Sequence, residues 1–147
     1  MNINPDAFFT GPRRALFDVS FTGYFGWAGL QLRELRKGFA EVAFRPREEM
    51  LTPWDTLNGA VINGLMEHPS FLALLTELQD GEMTVTNDVF VQHLRPLPGK
   101  AEYVLRASVI RRGKLIGWTS VETYIDGTLS SRAQITKSIV QDKTGAA

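Results

Sequence analysis

Cysteine is absent, Lys and Arg are balanced by Asp and Glu at 16 each, histidine occurs only twice, and apolar runs are short. Each lack removes a class of function. Without thiols there is no disulfide scaffold, thiolate zinc site, iron–sulfur centre or cysteine nucleophile. The same absence suits a reducing compartment, so a cytoplasmic protein is expected. Charge balance leaves no excess of cations for a nucleic-acid backbone. The most apolar stretch, Phe71-Leu72-Ala73-Leu74-Leu75, is far too short to span a bilayer. The start, Met1-Asn2-Ile3-Asn4-Pro5-Asp6, lacks the basic and apolar regions of a signal peptide. His68 and His93 have no carboxylates at ligand spacing, so both read as structural and neither a metal nor a cofactor is expected. Serine-hydrolase elbows, phosphate-binding glycine loops and zinc-protease motifs are missing as well.

What remains is a chain of 147 residues, 44% hydrophobic and 22% charged, the profile of one globular domain over 1–147. Residues 1–23 are punctuated by Pro5, Gly11, Pro12 and Gly23 and carry Phe8, Phe9, Phe17 and Phe21. They read as a segment whose aromatics pack on the main body. Two extended runs follow, Leu30–Leu35 and Phe39–Phe44, split by a Lys37-Gly38 turn. Pro46 and Pro53 mark a loop over Arg45–Leu57.

A long helix is expected from Gly59 to about Gln79, capped by Asn58 and stopped by Gly81. It is apolar on nearly every face (Val61, Ile62, Leu65, Met66, Leu72, Leu75, Leu78), which predicts burial. Pro69 should kink it by removing the partner of the Leu65 carbonyl. Four strands come next: Thr84–Leu94, Ala101–Val109, Leu115–Ile125 and Thr128–Val140, with turns at Arg112-Gly113 and Asp126-Gly127. Residues Gln141–Ala147 read as a frayed tail. A buried helix accompanied by one antiparallel sheet of about six strands is an α+β hotdog arrangement, the sheet wrapping the helix.

Three motifs carry the chemistry. Asn58-Gly59-Ala60-Val61-Ile62-Asn63-Gly64-Leu65-Met66-Glu67 resembles the helix start of hotdog acyl-CoA thioesterases of the phenylacetic-acid-degradation type. That family reads His-Gly-Gly and then an acidic residue nine positions after the His, which places Glu67 on the acid and Gly59 on the first glycine. Asp88-Val89-Phe90-Val91-Gln92-His93-Leu94-Arg95-Pro96 is similar to the family's strand ending in Leu-Arg-Pro. Val109-Ile110-Arg111-Arg112-Gly113-Lys114 is similar to its Arg-Arg-Gly turn. The resemblance spans Gly23 to Val140. It departs at Asn58 for the His, at Ala60 for the second Gly, and at Phe71 where some relatives keep a water-assisting Thr; Ser70 is the nearest hydroxyl.

The residues can also be read physically. A carboxylate inside an apolar helix must be paired, solvated or protonated. By itself Glu67 reads first as a core acid paired with an arginine and only second as a working group; the resemblance reverses that order. Ala60, Asn63 and Gly64 share its face and leave space beside it. The N–H groups of Gly59 and Ala60 begin the helix without intrahelical partners, and a developing oxyanion would be stabilised there. Asn58 is either a plain cap or a further contact to substrate or water. Gly59 and Glu67 are eight residues apart, roughly 12 Å along one helix, so one thioester carbon cannot meet both. Joint action would need two copies related by a two-fold axis.

The resemblance therefore implies an acyl-CoA thioesterase, with Glu67 as base or nucleophile, working as a homodimer or a dimer of dimers. Ala60, Asn63, Ser70 and Phe71 would lie near the acyl group. Arg95, Arg111, Arg112 and Lys114 are candidates for the CoA phosphates. Trp54, Trp118 and Phe71 are candidates for an acyl tunnel. The alternative is a hotdog module that binds acyl-CoA without turnover. A dehydratase ranks last, because Thr52–Asn58 supplies no histidine.

Overall fold

The computed structural model describes residues 3–143. The last four residues of the expected tail lie outside them. Gln141 is the final residue of a strand, and the Asp142 N–H bonds the Gly81 carbonyl at 2.8 Å, so pairing continues past Val140.

The N-terminal segment forms two short helices, α1 (Gly11–Val19) and α2 (Gly23–Ala28). Their aromatics build an edge-and-face chain: Phe8 to Phe9, Phe9 to Phe17, Phe17 to Phe21, and Phe21 to His68 of the main body. Phe9 and Phe17 are buried, so this segment closes one side of the core.

Two strands, β1 (Gln31–Arg36) and β2 (Phe39–Phe44), follow as a hairpin whose turn residue Gly38 is left-handed. After the central helices come β3 (Glu82–His93), β4 (Tyr103–Arg112), β5 (Ile116–Ile125) and β6 (Thr128–Gln141). Asp126 and Gly127, both at positive φ, turn β5 into β6. All pairings are antiparallel, in the order β1-β2-β4-β5-β6-β3.

In that order β3, although next in sequence to β4, does not neighbour it. It pairs with β6, and β4 pairs with β2. The physical cause lies in residues 94–102, too long and proline-rich for a hairpin. They bond instead to the loop before the helices, through Leu57 N–H to Leu97 O and Gly99 N–H to Asp55 O. The long strand β3 is left at the sheet edge.

The expected long helix runs over 59–75, interrupted at Met66 into α3 (Gly59–Leu65) and α4 (Glu67–Leu75). Pro69 sits in the first turn of α4, where its missing N–H is tolerated, and it withholds a bond from Leu65. The interruption therefore falls one turn before the proline. α4 ends at Leu75 rather than Gln79, capped by Thr76, whose hydroxyl bonds Ala73 O and accepts the Gly38 N–H. α4 is buried on all sides and packs on β2, β4 and β5, whereas α3 buries Ile62 and Leu65 and leaves a face open towards β3. No helix among the described residues is long and apolar enough to cross a membrane.

Candidate functional site

The open face of α3 and the edge strand β3 border an open recess of about 500 Å³, lined by Asn63, Gly64, Glu67, Val89, Phe90 and Val91. The helices and β3 run in opposite senses, so the cleft has two chemically distinct ends.

At one end stands Glu67. Its Oε2 accepts from the Lys137 ammonium at 2.8 Å and from the Thr86 hydroxyl, which itself accepts from Lys137 at 2.7 Å. The Lys137 side chain is 4% exposed and that of Glu67 27%. Oε1 of Glu67 has no partner among the described residues. A bulge between Thr86 and Asp88 keeps Thr86 on the inward face together with Val89 and Val91. In the recess wall, Asn63 Oδ1 is a buried acceptor with no donor among the described residues.

At the other end is the start of α3. Asn58 Oδ1 accepts the Ala60 N–H at 2.9 Å, so that amide is already used by the cap. The Gly59 N–H has no acceptor among the described residues. A Cβ built on Gly59 would stand 3.6 Å from His93 Nε2. His93 Nδ1 is bonded to the Ser131 hydroxyl at 2.8 Å, which orients the ring and leaves Nε2 over the helix start.

The other expected site residues are scattered. Ser70 is fully buried and bonded to Thr119 at 2.7 Å, inside the helix–sheet contact and away from the recess. Phe71 is half-buried against the core. Trp54 is 81% exposed on its loop, and Trp118 lies on the outer sheet face beneath the Arg111 guanidinium. These three aromatics do not form a tunnel in one chain. Nor do the four cations form one cluster. Arg112 is ion-paired to Glu82 and Arg111 covers Trp118, while Lys114 and Arg95 are exposed. The ladder row Arg111–Trp118–Thr136–Asp88 is five residues along β3 from His93, about 17 Å, and Arg95 lies beyond that.

Sequence reasoning missed Lys137, Thr86 and the position of His93. One signal was available: Ala133, Ile135 and Ile139 alternate along β6 on the buried phase, and Lys137 occupies that phase too. A lysine there calls for a carboxylate. The neighbour relation of β6 and β3 that brings Thr86 and His93 to the site had no local signature. Among the described residues no three His, Asp or Glu side chains gather as a metal centre would require.

No protein-family model matches the sequence, and no curated protein matches it. Solved structures do. A thioesterase from Haemophilus influenzae superposes with a TM-score of 0.80 at 21% identity, over 91% of this chain and 94% of that one. A mutant form of the phenylacetic acid degradation protein PaaI from Thermus thermophilus gives 0.72 at 23% identity, over 78% and 96%. The PaaI protein of the E. coli phenylacetic acid degradation operon gives 0.77 at 17% identity, over 86% and 89%. The chain has the hotdog fold. In hotdog terms, α3 and α4 are the filling, the six-stranded sheet is the wrap, and β3 is the open edge beside the recess.

Proposed function

We propose that this hotdog protein hydrolyses an acyl-CoA thioester and does so as a homodimer. The reading is supported by one observation: a carboxylate with a free oxygen opens onto a recess between α3 and β3, and farther along the same seam, beside His93, stands the Gly59 amide with no acceptor among the described residues. Thioesterases among the structural neighbours support the same reaction class.

In this scheme Glu67 Oε1 takes a proton from water, and the resulting hydroxide attacks the thioester carbon. The carbonyl oxygen gains charge against the Gly59 N–H of the partner copy. The carbon–sulfur bond then breaks, and the thiolate recovers the proton from Glu67, giving a free acid and a thiol. In the nucleophile variant Oε1 attacks directly, and water hydrolyses the anhydride. His93 Nε2, which stands beside Gly59, would bond the carbonyl or the water. Asn63 Oδ1 offers an acceptor for an amide of the pantetheine arm.

The dimer reading is supported by the edge of β3, where Val85, Val89 and Phe90 are exposed. Antiparallel pairing of two β3 strands about Val89 and Phe90 would bring Gly59 and His93 of one copy towards Glu67 of the other. The competing reading is binding without turnover, and Asn58 favours it by occupying the Ala60 amide. Thiol release from short, long and aromatic acyl-CoAs, compared between wild type and Glu67→Gln, separates the two. Saturable binding with no release on any ester would select the binding module. Light scattering reports the dimer.

A further inference from the structure

We infer that Lys137, acting with Thr86, is a positioning residue that pins one oxygen of Glu67 and thereby reserves the other for the recess. Its catalytic consequence rests on the thioesterase reading; the anchoring itself does not.

The argument begins with the cost of Lys137. It lies on the inward face of β6 between Ile135 and Ile139, and an ammonium there is strongly disfavoured unless its charge and its donors are met. Both of its bonds go to the same place. One reaches Glu67 Oε2 at 2.8 Å, and the other reaches Thr86 Oγ1 at 2.7 Å. A hydroxyl has one proton to give, and Thr86 gives it to that same Oε2. The three groups, from α4, β3 and β6, form a closed triangle with two donors on a single carboxylate oxygen.

Two anchors on Oε2 hold the carboxylate plane, so Oε1 is not free to exchange places with it. Among the described residues no other titratable group lines the recess: its remaining walls are Asn63, Gly64, Val89, Phe90 and Val91. His68, the next residue on the helix, faces the N-terminal aromatics, and His93 stands at the far end of the cleft. A pair serving stability alone would have no need to load one oxygen twice and leave the other bare. Orientation of the reacting atom is what such an arrangement provides.

Lys137→Met and Thr86→Val remove the anchors with little change of shape. For the first, kcat on the best acyl-CoA should fall about 100-fold, and for the second about 10-fold, with KM within about twofold, because neither side chain meets the acyl group. Thr86→Ser, which keeps the hydroxyl, should retain most of the wild-type kcat. If Lys137→Met does not fold, the Thr86 pair decides. Folded Thr86→Val with an unchanged kcat, or Thr86→Ser no better than Thr86→Val, overturns the inference. A second readout needs no turnover: the side-chain ammonium of Lys137 should give a slowly exchanging ¹⁵N signal that moves or broadens in Glu67→Gln. An unmoved signal refutes the anchoring. A moved signal in a protein that cleaves no thioester upholds the anchoring and removes the thioesterase reading instead.

Discussion

Glu67 and His68 are consecutive residues in the first turn of α4, and their surroundings could hardly differ more. Glu67 points into a polar corner, where an ammonium and a hydroxyl meet it and one oxygen stays open. His68 points into the aromatic seam under α1 and α2, edge-on to Phe21 at 4.6 Å and tilted against Phe25 at 4.8 Å. Its Nε2 meets the Ser20 hydroxyl at 3.2 Å, and its buried Nδ1 has no partner among the described residues. Burial lowers its pKa to about 4, with Ser20 opposing the shift in part. One helix turn thus carries a charged group supplied with partners and a titratable group held neutral by their scarcity. A group given a charge partner and a cavity is equipped for chemistry, whereas one packed among rings is equipped to hold a cover in place.

The comparison breaks most visibly at Glu67. Replacing it with Gln removes the base, so kcat on acyl-CoA should fall by about 10²–10⁴-fold, and it takes the counter-charge from the buried Lys137 ammonium, so the melting temperature should fall as well. Turnover close to wild type would erase the functional side of the contrast.

A fall in pH should act next, and through His68. Its folded-state pKa is about 4 against an unfolded value near 6.5. The unfolded chain therefore takes the proton first. Stability from this residue is complete above about pH 6.5 and declines as pH falls towards 4, by roughly 3 kcal/mol in all. Urea unfolding at a series of pH values should trace that decline, and His68→Leu should flatten it. A profile unaltered by the substitution would mean that other groups govern acid stability.

Smaller effects sharpen the contrast further. Ser20→Ala removes the one hydrogen-bond partner of the His68 ring among the described residues and should cost about 1 kcal/mol near neutral pH without touching turnover. Asn58→Gly should cost only a few tenths of a kcal/mol, because glycine is itself an acceptable cap. If its kcat nevertheless collapses, Asn58 does more than cap the helix.

Much of the architecture is legible residue by residue. Lys37-Gly38 and Asp126-Gly127 mark turns because each needs left-handed backbone, and both turns stand where the pattern puts them. Asn58 marks the helix start because its side-chain oxygen is within reach of the Ala60 amide. The extra strand length to Gln141 was hidden because pairing with β3 supplies bonds that local composition does not advertise. The early break at Met66 was half-visible in Pro69: the missing bond was legible, the position where the chain absorbs it was not. In the site, Glu67 with Asn63 and Gly64 could be placed on one face from spacing alone. Ser70 could not be excluded, because its inward turn depends on Thr119 across the sheet.

Local sequence thus determined which segments are helix and strand, where they turn, and which acid stands out on the central helix. Those properties arise from backbone preferences and side-chain periodicity within a few residues. Only the tertiary structure decided that β3 lies beside β6 at the sheet edge, and with it every partner of the site. Lys137 is 70 residues from Glu67 in the chain, and Ser131 is 38 from His93. Contacts so distant come from the packing order of strands, a property of the whole sheet. The same packing order sets Glu67 beside Thr86 near one end of the α3–β3 seam and Gly59 beside His93 near the other.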